Sequence, residues 1–309
     1  MSVSPFRRML RRSAGPSEFR TSRRYVKITR SSAVPGVKAM LEADKVFAGS
    51  IPENYDRYMV PLIFAPFAAD LARRAAALMP IDILEIAAGT GVVTRELARR
   101  LLPAANYVVT DLNQPMLDFA ASQQAPDRRI KWQQVDAQTL PFENAVFDLV
   151  FCQFGAMFFN DRLSAYREAK RVLKPGGHYL FNVWDRIEEN HFADDVTNAL
   201  ARLFPDDPPR FMARTPHGYH DTALIRRELE EAGFSRVTIE TVTAQSRASS
   251  PRIPAMAYCQ GTVLRTEIEA RAPGGLDTAT DCAAAAIEAR HGGGAVAAKI
   301  QAHVILAAV

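Results

Sequence analysis

Between residues 61 and 184 the sequence alternates short apolar runs with stretches of helical periodicity, and this alternation limits the folds open to the chain. Strands are predicted at residues 81–86, 107–110, 130–135, 146–151 and 179–184. Helical spacing precedes and separates them, over residues 61–79 and again over 91–102. Strands that alternate with helices of about 10–15 residues form βαβ units around a mostly parallel sheet. The pattern predicts a doubly wound α/β domain.

After residue 185 the pattern changes and predicts additions to this sheet. A helix is expected over residues 221–232, a strand over 237–242, mainly helical structure over 254–290 and a final apolar run at 304–309. We expect one domain over residues 36–309, in which helical segments near 190–220 and 251–290 cover the edge of the sheet and hold a substrate.

The first 35 residues are expected to form a basic, disordered tail. Residues 1–34 contain eight arginines and one lysine against Glu18, a net charge of +8. Because the whole chain carries +4, the remaining residues carry a net −4. A segment this charged buries too little apolar surface to offset its ordering entropy. A targeting signal and a nucleic-acid arm are alternative interpretations of the tail.

Cysteine usage and hydropathy exclude several classes of protein. Cys152, Cys259 and Cys282 are odd in number and widely spaced, unlike a disulfide framework or a zinc site. No apolar run reaches the roughly 18 residues of a membrane helix. We therefore expect a soluble, cytoplasmic protein with no metal site and no membrane span.

The segment with the clearest chemical meaning follows the first predicted strand. Residues 83–91 read Ile-Leu-Glu-Ile-Ala-Ala-Gly-Thr-Gly, so Gly89 and Gly91 fall where the strand ends and a helix begins. Glycine there allows a tight turn and the close approach of a ligand.

Carboxylates follow the first three predicted strands. Asp111 lies 20 residues after Gly91, where this kind of fold places a carboxylate beside the ribose hydroxyls of a nucleoside. Asp136 is placed to accept a hydrogen bond from an adenine amino group, with Ala137 supplying a backbone contact. Glu85 would be the third carboxylate at the same sheet edge. Three carboxylates in register with three strand ends favour a ligand site over helix capping.

Taken together, these motifs resemble the class I S-adenosylmethionine-dependent methyltransferases, especially the small-molecule branch of the ubiquinone/menaquinone type. The resemblance covers roughly residues 45–245. It rests on Glu85-Ile86-Ala87-Ala88-Gly89-Thr90-Gly91, Asp111-Leu112, Asp136-Ala137, Leu140-Pro141-Phe142, Phe147-Asp148, Arg171-Val172-Leu173-Lys174-Pro175-Gly176-Gly177 and the upstream Tyr55-Asp56. One departure is Ala87, which stands at the first glycine of the family's loop.

The resemblance implies a seven-stranded, Rossmann-like sheet and S-adenosylmethionine as the cofactor. An aromatic residue near the start of the domain can cover the cofactor's methionine end, and aromatic faces suit its sulfonium cation. The cofactor-binding residues implied are Tyr55, Glu85, Ala87, Gly89, Gly91, Asp111, Leu112, Asp136, Ala137 and Phe154. The activity implied is in-line methyl transfer to a small or medium-sized, partly apolar acceptor.

Other functions share parts of this pattern. A nicotinamide-dependent dehydrogenase would have its third glycine at Thr94 and would have no use for Asp136. A nucleic-acid methyltransferase could use the basic tail, but residues 153–156 read Gln-Phe-Gly-Ala instead of the Asp/Asn-Pro-Pro-aromatic run of amino-group methylases. A non-catalytic binding protein on the same fold is the third alternative.

The sequence offers only weak candidates for a catalytic base. His217 and His220 flank Tyr219 in a turn before the helix at 221–232. A histidine pKa near 6.5 suits proton removal from a hydroxyl acceptor. In the alternative interpretation both side chains hydrogen-bond backbone atoms and only stabilise the turn.

Overall fold

A computed structural model describes residues 55–309, so the predicted tail and the first part of the predicted domain lie outside the described residues. Within this range the chain forms a seven-stranded sheet. The strands are β1 Asp82–Glu85, β2 Asn106–Asp111, β3 Ile130–Gln134, β4 Phe147–Gln153, β5 Leu173–Trp184, β6 Arg236–Ala248 and β7 Val296–Ala308. Their order is β3-β2-β1-β4-β5-β7-β6.

The strand directions confirm the predicted α/β fold. Strands β1 to β5 pair in parallel, whereas β7 runs antiparallel to both of its neighbours. Parallel neighbours require crossover connections, and the predicted helices supply them.

Helices cover both faces of the sheet. They are α1 Ala65–Ala77, α2 Val92–Ala98, α3 Gln114–Gln123, α4 Arg162–Val172, α5 His191–Leu203, α6 Phe211–Arg214, α7 Thr222–Glu231, α8 Arg252–Gly261, α9 Leu264–Arg271 and α10 Leu276–His291. Short 3₁₀ turns occupy Ala156–Phe158 and Ile187–Glu189. Among residues 55–309, no helix combines the length and the apolar character needed to cross a membrane.

The helix predicted over residues 61–79 is in fact two elements. A π-helical segment spans Tyr55–Phe64 with Pro61 inside it, and α1 follows directly. Pro66 occupies the first turn of α1, where a missing amide hydrogen has no structural cost. We call residues 55–64 the cap segment, because four of its side chains line the cavity described below.

The C-terminal strands are longer than the sequence pattern predicted. Strand β6 was expected over residues 237–242 and β7 only from 304. The ladder between them continues six residue pairs beyond the last β5–β7 pair, Trp184–Ala302, as far as Ala248–Val296. These strands therefore extend past the carboxyl edge of β5.

Helix α5 lies within the segment near residues 190–220 where helical structure was expected without exact bounds. It buries Phe192, Val196 and Leu200 at helical spacing and packs against α8, α10 and β7. With α8 over the cap segment, these helices enclose the carboxyl edge of the sheet from one side.

Candidate active site

A cavity of about 210 Å³ lies at the carboxyl edge of the parallel strands. The segments that follow β1, β2, β3 and β4 form its floor, and the cap segment forms one wall. Side chains from α6 and from the α8–α9 connection complete it. Open α/β sheets bind ligands at this edge because strand ends and helix starts meet there.

The glycine loop between β1 and α2 has the backbone conformation that its sequence suggests. Ala87, Gly89 and Gly91 all adopt positive φ, at 54°, 57° and 76°. A side chain on Gly91 would place its Cβ 2.9 Å from that of Ala120. Left-handed conformations cost a non-glycine residue about 1–2 kcal/mol, so Ala87 carries strain at this point of the loop.

Asp111 connects the glycine loop to the end of β2. Its Oδ2 accepts a hydrogen bond from the Gly89 amide at 2.8 Å, and its Oδ1 accepts one from the Asn113 amide at 2.8 Å. Burial raises the pKa of this carboxyl, and only 7% of the residue is exposed. A carboxylate has about four acceptor positions, so Asp111 keeps capacity for hydroxyl groups in the cavity that it lines.

Asp136 and its neighbours line the cavity after β3. The Asp136 Oδ1 accepts a hydrogen bond from the Gln138 amide at 2.9 Å, which fixes the turn. Ala137 and Leu112 lie on the same wall, and Leu112 is partly exposed. This end of the cavity therefore combines two carboxylates with apolar surface.

An aromatic wall forms the other end. Phe154 stacks on Trp184 with ring centroids 3.8 Å apart and planes 6° from parallel. Phe64 lies 5.6 Å from Phe154, and Tyr55 stacks on Phe64 at 5.1 Å. Trp184 and Phe64 were not predicted as site residues, although Trp184 ends β5 and Phe154 follows directly on β4.

The Phe154 backbone is held in an unusual conformation. Its φ is 50°, and its amide donates to the side-chain Oδ1 of buried Asn182 at 2.9 Å. Such strain persists where the surroundings fix it and is concentrated at functional sites.

Comparisons with known proteins agree with this geometry. Residues 84–181 match a family model described as a methyltransferase domain. The Pseudomonas aeruginosa ubiquinone/menaquinone biosynthesis C-methyltransferase UbiE is 29% identical over 173 residues, 52% of this chain and 68% of that one. The Caenorhabditis elegans mitochondrial 2-methoxy-6-polyprenyl-1,4-benzoquinol methylase is 28% identical over 173 residues, 52% of this chain and 60% of that one. These similarities support a class I S-adenosylmethionine-dependent methyltransferase of the small-molecule type.

Solved structures of low sequence identity share the fold of this chain. The YcgJ protein of Bacillus subtilis aligns with a TM-score of 0.50 at 18% identity, over 79% of this chain and 98% of that one. A Thermotoga maritima protein described as a SAM-dependent methyltransferase, possible histamine N-methyltransferase, aligns with a TM-score of 0.50 at 14% identity, over 87% and 99%. The family model and the curated relatives confirm the predicted enzyme class and cofactor, and the dehydrogenase alternative is set aside.

Two predicted cofactor-binding residues of the methyltransferase lie beneath the cavity wall. Glu85 is buried and accepts hydrogen bonds from the hydroxyls of Thr94, at 2.6 Å, and Tyr107. Burial raises the pKa of this carboxyl to about 7. Gly91 starts α2 and packs against α3. Neither is among the residues that line the cavity, so the structure gives both an internal position under the loop.

The candidate histidines of the methyltransferase bond to backbone atoms. His217 Nδ1 lies 2.8 Å from the Asp185 carbonyl oxygen, and His220 Nδ1 lies 2.8 Å from that of His217. Burial lowers the pKa of His217 to about 4, which makes it a weak base at neutral pH. Neither ring is part of the cavity lining, although Pro216 is. The described positions match the alternative interpretation of a stabilised turn.

Proposed function

We propose that this methyltransferase methylates a small, partly apolar acceptor held against the aromatic wall. The observation that carries the proposal is the uneven polarity of the cavity. Among the described lining residues, the titratable groups are Tyr55, Asp111 and Asp136, and both carboxylates belong to the strand ends at one end. The other end consists of aromatic rings, Met212, Val263 and neutral polar groups.

The described residues fit the cofactor at the carboxylate end. Asp111 and Asp136 would accept hydrogen bonds from its ribose and adenine groups, with Leu112 and Ala137 against the base. The positive-φ backbone at Ala87 and Gly89 leaves room beside the loop. Tyr55 and Phe154 would offer ring faces to positive charge. S-adenosylmethionine supplies a methyl group that is already activated for displacement.

The protein's contribution to the reaction is then positioning and exclusion of water. Rings of Phe154 and Trp184 hold the acceptor in line, and the apolar wall keeps solvent away. No histidine, cysteine, lysine or arginine occurs among the described lining residues. The acceptor must therefore be a nucleophile that needs no strong base from these residues. The segments around 190–220 and 251–290 supply Phe211, Met212, Thr262 and Val263 to the acceptor end, as a lid in a single domain would.

The relatives suggest the kind of acceptor to try first. One is named for C-methylation in ubiquinone and menaquinone biosynthesis, and another for methylation of a benzoquinol. An electron-rich ring with an apolar substituent suits the aromatic wall. A panel should compare such a ring with an alkylamine, a thiol, a carboxylic acid and short DNA, using methyl-labelled S-adenosylmethionine. Transfer restricted to charged acceptors or DNA would contradict the proposal.

The cofactor end can be tested without knowing the acceptor. Replacing Asp111 with alanine removes a charged hydrogen-bond partner, so the affinity for S-adenosylmethionine should fall by about 1–3 kcal/mol in calorimetry. Asp118→Ala is a matched control, because Asp118 lies on α3 and bonds to Gln114. The assignment of Asp111 is wrong if both variants bind equally well.

A further inference from the structure

The cap segment and the glycine loop are connected by one arginine side chain. Arg95, on the first turns of α2, donates through Nη1 to the Thr90 carbonyl oxygen at 2.6 Å. Through Nη2 it donates to Asp56 Oδ1 at 3.0 Å. Thr90 belongs to the glycine loop and Asp56 to the cap segment, so a single guanidinium bridges two walls of the cavity.

The two walls that Arg95 connects are both needed around a bound cofactor. Thr90 lines the cavity from the loop, and Tyr55, next to Asp56, lines it from the cap segment. Arg95 and Asp56 themselves are not part of the lining. Their side chains are 21% and 25% exposed, so the pair is screened less than a surface ion pair.

The cap segment has features of an element that can move. Its backbone is π-helical over ten residues and includes Pro61, which lacks an amide hydrogen. Helices of this kind are rare and are frequent at functional sites. It packs through Met59, Ile63 and Phe64, which line the cavity at the same time.

We infer that Arg95 is a positioning residue that couples closure of the cap segment to the loop that holds the cofactor. A planar guanidinium can bond two acceptors in fixed directions at once. When the loop is ordered by ligand, Thr90 and Arg95 hold Asp56, and Tyr55 stays over the cavity. When the pair is broken, the segment loses this restraint and the cofactor dissociates faster. This inference rests on the proposed placement of the cofactor.

The test measures binding of S-adenosylhomocysteine, the demethylated product, to Asp56→Asn, Arg95→Gln and the double variant. Each single change should weaken binding about 5- to 20-fold, in the range of typical coupling between linked elements. The loss should appear as faster dissociation in stopped-flow measurements. Because both changes break the same bridge, the double variant should have about the same affinity for S-adenosylhomocysteine as the single variant with the lower affinity. Arg99→Gln is the control, since Arg99 lies one helical turn further along and, among residues 55–309, forms an ion pair with Glu96 only.

Hydrogen exchange distinguishes coupling from simple stabilisation of the fold. In the wild type, S-adenosylhomocysteine should slow exchange of the amides of residues 55–64, and in Arg95→Gln this protection should be lost. Unchanged affinity in Asp56→Asn, or losses that multiply in the double variant, would overturn the inference. Failure of the wild type to bind S-adenosylhomocysteine would refute the proposed function and the inference with it. If the wild type, Arg99→Gln, Asp56→Asn and Arg95→Gln all bind S-adenosylhomocysteine equally well, the inference is refuted and the proposed function is unaffected.

Discussion

Replacement of Gly155 by alanine tests whether the departure at Ala87 shaped the rest of the site. Gly155 follows Phe154, and its φ is −101°, so its backbone accepts any side chain. A Cβ added there would lie 2.6 Å from Ala87 Cβ and 2.6 Å from Cys152 Sγ. Both distances are far inside ordinary carbon contact. The cost of the substitution is therefore packing alone.

The magnitude follows from the cost of overfilling a packed site. Inserting one carbon into a tight core costs about 1–3 kcal/mol. For a domain of this size each kcal/mol lowers Tm by about 2–4 °C, so Gly155→Ala should lower Tm by roughly 2–12 °C. Because Ala87 and Gly155 both line the cavity, affinity for S-adenosylmethionine should fall as well.

A second substitution makes the reasoning sharper. Ala87→Gly removes one of the two clashing carbons and relieves the left-handed strain at Ala87, so Gly155→Ala should cost less in that background. A coupling of about 1 kcal/mol is expected from a double-mutant cycle in urea unfolding. Gly294→Ala is the control, since nothing lies within 4 Å of its added Cβ. Equal Tm values for Gly155→Ala and the wild type, or additive changes in the double variant, would refute the argument.

Three other substitutions test buried groups near the site. The Gln153 side chain lines the cavity, and its buried Oε1 has no partner among residues 55–309. Gln153→Leu should therefore leave the free energy of unfolding unchanged or raise it by about 1 kcal/mol, while it lowers the rate of methyl transfer. A clear loss of stability in this variant contradicts the prediction. Burial raises the Glu85 pKa to about 7, so the folded protein keeps a proton on this carboxyl at pH values where the unfolded chain has released it. The contribution of Glu85 to stability is therefore lost as pH rises towards 7. Glu85→Gln should make the fall of Tm over this pH range less steep. Burial lowers the His217 pKa to about 4, so the contribution of His217 to stability is lost as pH falls towards 4, and His217→Gln should make the fall of Tm towards low pH less steep. Thermal unfolding from pH 4 to 7.5 measures both slopes. The pKa assignments are contradicted if the two variants change the dependence of Tm on pH in the same direction.

Strands β1, β2 and β4 could be predicted because they are buried on both faces in the middle of the sheet. Such strands appear as continuous apolar runs, and Val108 and Val150 are typical members. Strand β6 alternates partly buried and exposed residues and carries many polar side chains. Its pattern at residues 243–248 is that of a polar loop until β7 pairs with it. The length of β6 therefore could not be predicted from its own residues, because it depends on pairing with β7.

The position of each carboxylate was less predictable than its presence. Glu85 and Asp111 both end a strand, so their positions in the sequence pattern are equivalent. Thr94 and Tyr107 lie where they can donate to Glu85, which keeps that carboxylate inside. Asp111 meets backbone amides at the loop and stays on the wall. The difference depends on which donors the fold brings near each group.

The uneven polarity of the cavity also explains why a site without a lining base can favour methyl transfer. During methyl transfer the positive charge would be shared between the sulfonium group and the acceptor. A wall that stabilises diffuse positive charge would then suit the reaction better than a wall with a localised negative charge. Phe154 and Trp184, which line the cavity as a stacked pair, would provide such a wall. A carboxylate placed there would instead hold the charge at one point, and it would carry its own water. Asp111 and Asp136 lie at the strand ends, where the hydroxyl and amino groups of the cofactor would be their partners. The carboxylate end would bind the cofactor, and the aromatic end would position the acceptor. Because these are separate surfaces, each can be adapted to its own ligand, which suits a reaction that depends on the proximity of the two reactants.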